Sequence, residues 1–455
     1  MAVNEDFLKR MKALLGAEFP ALYHCYGHAP FRGLRVNTLK ILPEDFEKLS
    51  PWPLEKTPFC REGYYLPDSA QGVGDHPFHR AGLIYIQEPS AMSAVPELDV
   101  QPGQLVCDLC AAPGGKSTQI AALLKGQGLL VSNEFVRART GALLGNLERM
   151  GAVNTVVTSL RPDRLAQAAG PIFDRVLCDA PCSGEGMFRK EPAAVDDWSE
   201  QAVRACAVRQ REILASAAAL VKPGGILVYS TCTFAPEEDE QTADWFLASF
   251  PEFECLSCRT GFGRLSEGPF LKDTACLPAG HTLRVFPMDG GEGHFVAKFR
   301  RRGESEPAVL SAPACTLTGQ EQAVVDALFD GLFTERPGGT VCRNGDRLTL
   351  VAAQLPVRLP GVLRQGIPVG TLRSGRLIPE HGLFLAQTGR PFARALDLPL
   401  EDGRLNLFFQ GQELETDLPG KGYLPVLAGG WPVGFGKLSG GRLKNHYPKG
   451  LRRKG

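Results

Sequence analysis

Between residues 100 and 302 short apolar runs alternate with amphipathic stretches, which predicts strands at 104–109, 129–132, 155–158, 175–178, 226–230 and 295–299. Helices fit between them at 118–124, 136–150 and 199–220, the second carrying Leu143, Leu144 and Leu147, and a turn is expected at 222–225. Strand, loop and helix in repeated order imply a mostly parallel, doubly wound α/β sheet. Residues 1–90 are mixed and proline-rich. They predict an amphipathic helix at 7–15, a strand carrying polar groups at 33–39, short strands at 64–65 and 85–87, and a helix starting near Pro89 and Ser90. The charged run 300–307 is the linker candidate. Residues 310–385 read as a helix followed by short strands, and 386–455 as a small β-rich module with strands at 405–409 and 432–437. The expected division is therefore 1–95, 96–302, 303–385 and 386–455, without internal repeats.

A chain of 455 residues suits several domains, and 44% hydrophobic with 22% charged residues is ordinary for buried cores. No apolar run approaches the roughly 18 residues of a membrane span, and the amino terminus lacks the order of a signal peptide. Thirteen scattered cysteines fit reduced thiols in a cytoplasm rather than a disulfide framework. The formal net charge of zero says nothing of a polyanionic partner, but its distribution does. Lys437, Arg442, Lys444, Lys449, Arg452, Arg453 and Lys454 crowd the last 19 residues with no acid among them. That tail fits phosphate contact, with a solvated basic terminus as the plain alternative.

Three strand ends carry the chemistry, at the carboxyl edge where open α/β sheets bind ligands. Cys182 lies in Asp179-Ala-Pro-Cys-Ser-Gly-Glu-Gly186, and Cys232 in Ser230-Thr-Cys-Thr-Phe234. One thiol can add to an electron-poor ring and a second can help reverse the addition, which points to covalent catalysis on a pyrimidine. Asp179 could hydrogen-bond an exocyclic amine or ring nitrogen. At the third edge stand Cys110, Ala111, Ala112, Pro113, Gly114, Gly115 and Lys116, a glycine turn whose backbone and following helix favour a negative group. Glu134, at the next strand end, is placed for ribose hydroxyls. The turn lacks the glycine spacing of a P-loop. Cys107, Cys110, Cys178 and Cys206, flanked by apolar residues, read as small buried hydrophobes. Cys255-x-x-Cys258 with Cys276 and His281 has a zinc-like spacing, but no second tight pair follows, and no metal is expected.

In this order, Cys110-Ala-Ala-Pro-Gly-Gly-Lys116, the Asp179–Gly186 loop and Ser230-Thr-Cys232-Thr resemble the RNA 5-methylcytosine methyltransferases of the Sun/nucleolar-protein family. Arg35-Val-Asn-Thr-Leu39 and Gly293-His-Phe-Val-Ala-Lys298 match as well, over roughly residues 1–300. Gly430-Trp-Pro-Val-Gly-Phe-Gly-Lys437 and Asn445-His-Tyr-Pro-Lys-Gly450 resemble the PUA-like end of the bacterial ribosomal small-subunit methyltransferase F branch. The resemblance implies a Rossmann-like methyltransferase domain between a small α+β RNA-binding segment and a PUA-like β-rich domain. S-adenosylmethionine would lie on the Cys110–Lys116 loop, with Glu134 on the ribose, Arg139 on the following helix, and Asp179 between methyl donor and target base. Cys232 would attack carbon 6 of cytosine, Cys182 would assist its release, and Lys190 would be a further active-site group. Two departures stand out: Ser159 occupies the place of an acid that contacts the adenine, and Asp239 replaces a common asparagine.

The expected activity is methylation of a cytosine in 16S ribosomal RNA by a cytoplasmic monomer, with neither DNA nor membrane as partner. Transfer RNA is the nearest alternative substrate, disfavoured by the tail. DNA cytosine methylation is disfavoured by the Thr-Cys partner of the Pro-Cys thiol, and a small-molecule methyltransferase by the flanking segments. A non-catalytic ribosome-assembly factor would not need Asp179, Cys182 and Cys232 together.

Overall fold

The computed structural model describes residues 3–259, 261–306, 310–314, 317–387 and 391–453. Pro307 at the end of the expected linker and Lys454 in the tail lie outside the described residues.

Strands Leu105–Asp108, Leu129–Asn133 and Thr155–Thr158 are buried at every position, so both faces of their sheet must be covered. The two-residue period divides the cover. Leu105, Cys107, Leu129 and Val131 pack with Leu165 of helix Pro162–Ala169 and with Leu214 and Ala217 of helix Glu200–Leu220. Val106, Leu130, Val157 and Leu177 face the other way, against Ile120 of helix Gly115–Leu124 and Leu143 and Leu147 of helix Thr140–Met150. Five parallel strands run in the order Thr155–Thr158, Leu129–Asn133, Leu105–Asp108, Phe173–Asp179, Val221–Thr231. His294–Arg301 continues the sheet antiparallel to Val221–Thr231, with Phe295 opposite Thr231. The sheet totals ten strands.

The opposite edge is closed by Val362–Gln365, which pairs antiparallel with Thr155–Thr158. Segment 303–385 thus supplies both its own four-stranded sheet and a strand that covers the edge of the central one. The two ends of the chain also meet. Leu34, Phe46 and Phe78 share one apolar cluster with Phe408, Val426 and Leu438. Arg80 lies 4.9 Å over the Phe409 ring and donates to the Tyr447 hydroxyl at 2.9 Å.

Four local expectations are corrected. Residues 405–409 belong to a helix, Arg404–Phe409, in which Leu405, Phe408 and Phe409 are buried while Leu407 is 39% exposed, a helical spacing. The helix expected from 136 opens as a 3-10 turn, Arg137–Arg139, before Thr140–Met150. That expected near Pro89 is a 3-10 turn, Ser90–Met92, and a single short helix, Ala94–Glu97, containing Pro96. The turn at 222–225 lies inside strand Val221–Thr231 as a bulge, since pairing jumps from Phe173–Val221 to Arg175–Ile226. No helix among the described residues is long and apolar enough to cross a membrane. Among the described residues eleven cysteines are free and Cys342 is disulfide-bonded.

Candidate active site

Asp179 and Ser230 stand opposite each other at the ends of adjacent parallel strands, so the loops bearing Cys182 and Cys232 leave the same edge. Three bonds stitch those loops together. The Gly186 amide donates to the Cys232 carbonyl at 2.9 Å, the Phe234 amide to the Glu185 carboxylate at 2.8 Å, and the Ser183 and Thr233 hydroxyls lie 2.8 Å apart. The two sulfurs come within 3.2 Å, and the Cys232 amide points at the Cys182 sulfur at 3.4 Å. The hydrogen bond with Cys232, and then burial, push the Cys182 thiol well above the ordinary range. Cys182 therefore keeps its proton and can donate it toward the Cys232 sulfur.

Asp179 accepts from Lys116 Nζ at 2.8 Å and from Ser230 Oγ at 2.7 Å. Burial pushes its carboxyl up, but the Lys116 charge and these hydrogen bonds outweigh burial and hold it below the usual range. An ionised acceptor thus sits beside the paired thiols. Lys116 reaches it from the start of helix Gly115–Leu124, whose preceding residue Gly114 has φ +111°, where a Cβ would lie 3.2 Å from Leu143.

The glycine turn is held from several sides. Arg139 donates to the Ala112 carbonyl at 2.8 Å and lies 3.5 Å from Glu134. Buried Glu134 accepts from the Ala112 amide at 3.2 Å and the Val136 amide at 2.7 Å, each oxygen retaining a further lone pair. Cys110 opens the turn, partly exposed, and the Ala112–Pro113 bond is cis. Arg35, 1% exposed, donates to the Gly115 carbonyl at 3.0 Å, Thr118 Oγ1 at 2.7 Å and Gln87 at 3.1 Å. The polar strand of the amino-terminal segment therefore grips this turn. A polar residue in an otherwise apolar strand was the signal for it.

The structure joins Asp179, Cys182 and Cys232, and makes Lys116 a direct partner of Asp179. It does not join Lys190 to them: none of the ion pairs or side-chain hydrogen bonds among the described residues uses its ammonium. Burial lowers the Lys190 pKa, against the pull of Glu88 and Glu292. Ser159 follows the third strand, and its amide donates to the Gly361 carbonyl at 3.1 Å, so the place of the missing acid is bordered by segment 303–385. Cys107 and Cys178 are buried, whereas Cys110 and Cys206 are only partly so. Cys258 points at the Val296 carbonyl and Cys276 is exposed; no group of three metal-ligating side chains occurs among the described residues. Ser230 and His294, the latter 3.9 Å from Asp179, were not singled out by sequence reasoning.

A doubly wound sheet with a glycine turn after one strand, an acid at the end of the next and two cysteine loops at the same carboxyl edge has the architecture of a Rossmann-like methyltransferase domain. Residues 95–300 match the family model of the 16S rRNA methyltransferases RsmB/F, 3–89 that of the N-terminal domain of 16S rRNA methyltransferase RsmF, and 395–453 that of the methyltransferase RsmF PUA domain. Ribosomal RNA small subunit methyltransferase F of Enterobacter sp. (strain 638) is 34% identical over 99% of this chain and 96% of that protein. Its namesake in Vibrio atlanticus (strain LGP32) is 32% identical over 99% and 97%. The chain belongs to the ribosomal RNA small subunit methyltransferase F family. Among solved structures, a methyltransferase homolog from Pyrococcus horikoshii has a TM-score of 0.58 at 30% identity, covering 66% of this chain and 95% of that one. NSun6 from the same organism, with SFG, has 0.57 at 20% identity over 66% and 99%, a likeness of fold.

Proposed function

We propose that this chain transfers a methyl group from S-adenosylmethionine to carbon 5 of a cytosine in 16S ribosomal RNA, through a covalent adduct on Cys232. The observation that carries the reading is the 3.2 Å pairing of Cys182 with Cys232 beside ionised Asp179. The structural relative solved with SFG, an analogue of S-adenosylmethionine, supports the cofactor. The donor set suits it: backbone amides at a helix start for its carboxylate, and Glu134 for its ribose hydroxyls. When bound, it supplies an electrophilic methyl group.

The Cys232 sulfur, as a thiolate, forms a bond to carbon 6, which moves electron density to carbon 5. Cys182, holding its proton, stabilises the anionic sulfur by hydrogen bonding before attack and again at departure. Asp179, fixed by Lys116 and Ser230, binds the polar edge of the ring and orients it. After methyl transfer, water takes the carbon 5 proton, the electron pair left behind re-forms the double bond to carbon 6, and the sulfur–carbon bond breaks to return Cys232 as a thiolate and the aromatic ring. The base must leave its stack to reach this edge. We assign RNA binding to residues 1–95 and to the 386–455 module, whose shared core holds them as one surface.

The test is transfer of labelled methyl to undermethylated small ribosomal subunits, their free RNA and transfer RNA, with sites mapped by bisulfite sequencing. New 5-methylcytosine in 16S RNA is expected; label in transfer RNA alone overturns the substrate. Cys232→Ala should abolish transfer, and Cys182→Ala should accumulate a protein–RNA adduct. Equal, adduct-free loss in both variants would sink this division of labour.

A further inference from the structure

His294 is 2% exposed, and neither ring nitrogen has a hydrogen-bond partner among the described residues. Burying such a group unpaired is unfavourable, so a function at that position is the first place to look. Its location is fixed by the chain around it. Gly293 has φ +149°, and a Cβ there would lie 2.5 Å from the Phe234 ring and 2.9 Å from Gly186 Cα, so only glycine brings this strand against both cysteine loops. Phe295 pairs with Thr231, which puts His294 one step further along, level with Cys232. The imidazole Nε2 is 3.9 Å from Asp179 Oδ1.

Burial first and the Lys116 charge second push His294 down to about 4, against the weaker pull of Asp179. The Gly293 backbone also favours a proton on the ring, without meeting hydrogen-bond geometry. The imidazole is therefore neutral at physiological pH, with one nitrogen an acceptor. At 3.9 Å, Nε2 and Oδ1 are too far apart to bond each other. Two acceptors at that spacing are satisfied together by one donor carrying two hydrogens.

We infer that His294 is a specificity-determining residue, its Nε2 and Asp179 Oδ1 each accepting one hydrogen of the exocyclic amine of the target base. The inference rests on the cytosine reading above. It explains how a site whose thiols could attack cytosine or uracil rejects the latter: a carbonyl oxygen would face two acceptors.

The experiment uses the full chain, S-adenosylmethionine and two short RNAs carrying the mapped site, one with cytidine and one with 2-pyrimidinone riboside, which lacks the amine. Comparing each variant's cytidine-to-pyrimidinone rate ratio with that of the unaltered chain cancels the differing reactivity of the two rings. His294→Leu should lower that ratio about tenfold, the worth of one hydrogen bond, while cofactor affinity stays within about twofold. His294→Gln, which returns an acceptor near Nε2, should recover most of the ratio and guards against a folding defect in the leucine variant. An unchanged ratio in both variants, or equal loss on both RNAs, overturns the inference. Loss of cofactor affinity would place His294 with the methyl donor instead. Failure of the unaltered chain to make 5-methylcytosine would overturn the underlying reading, which is a separate result.

Discussion

Two buried clusters of charge lie on neighbouring parts of this sheet and are built differently. Around Arg284 the guanidinium donates to Glu240 Oε1 at 2.6 Å and to Oε2, lies 3.0 Å from Asp239, and donates to the Phe234 carbonyl at 3.0 Å. The Phe270 ring sits 4.6 Å from it, and the charged side chains of the cluster are 0–1% exposed. At the carboxyl edge, Lys116 and Asp179 form a single ion pair whose side chains are 12% and 30% exposed. The Arg284 cluster is closed by protein on every side and fixes the loop that follows Cys232. The Lys116–Asp179 pair remains partly exposed at the open edge of the sheet. The closed cluster ties loops to the sheet, and the partly exposed pair leaves Asp179 open at the edge that carries the cysteine loops.

The largest expected effect tests the closed cluster. Arg284→Met leaves Glu240 and Asp239 buried without their cation, and should lower unfolding stability in urea by about 3–5 kcal/mol. Adding Glu240→Leu should return part of that loss, because the uncompensated charge is what destabilises. A single variant as stable as the unaltered chain would erase the distinction between the clusters. Asp239, read from the sequence as a departure from a common asparagine, accepts from Thr231 at 2.6 Å and stands 3.0 Å from Arg284, while burial, against the pull of Arg284, pushes its carboxyl well up.

The five parallel strands of the central sheet were legible because each carries a buried apolar run, and three of them end in a local signal, the glycine turn or a cysteine loop. The cysteine pair was legible for the same reason, since each motif sits within a few residues. Pairings across the chain were not. Strand Val362–Gln365 has no fully buried residue, and nothing in its own pattern says that it closes the sheet against Thr155–Thr158. Arg35 grips a turn 80 residues away, and Lys116 meets Asp179 across 63. Helix Arg404–Phe409 has six residues, too few for a periodicity to separate helix from strand. His294 was seen only as one letter of a motif, since its neighbours are set by register rather than by sequence.

The open pair should respond in rate before stability. Lys116→Met removes the cation that keeps Asp179 ionised and oriented, and should slow single-turnover methyl transfer about 10²–10³-fold at saturating cofactor. Its stability loss should be smaller than that of Arg284→Met, because Asp179 retains Ser230 and solvent. A reversed order, with stability falling further than rate, would make this pair a structural one.

The smallest effect concerns an acid that belongs to neither cluster. Asp108 is 1% exposed; one oxygen accepts from Ser117 at 2.6 Å and the other has no partner among the described residues. Burial, against the pull of the Ser117 hydrogen bond, pushes its carboxyl up to about 7. A raised carboxyl binds its proton more tightly in the folded than in the unfolded chain. Its contribution to stability is therefore full below about pH 4 and is lost as pH rises through 7. Asp108→Asn, which cannot ionise, should flatten the fall in urea midpoint between pH 5 and pH 8, leaving the share due to Glu238, also pushed up to about 7 mainly by burial. An unaltered pH profile would mean that Asp108 is ionised throughout, a further buried charge beneath the glycine turn held by the pull of Lys116 against burial.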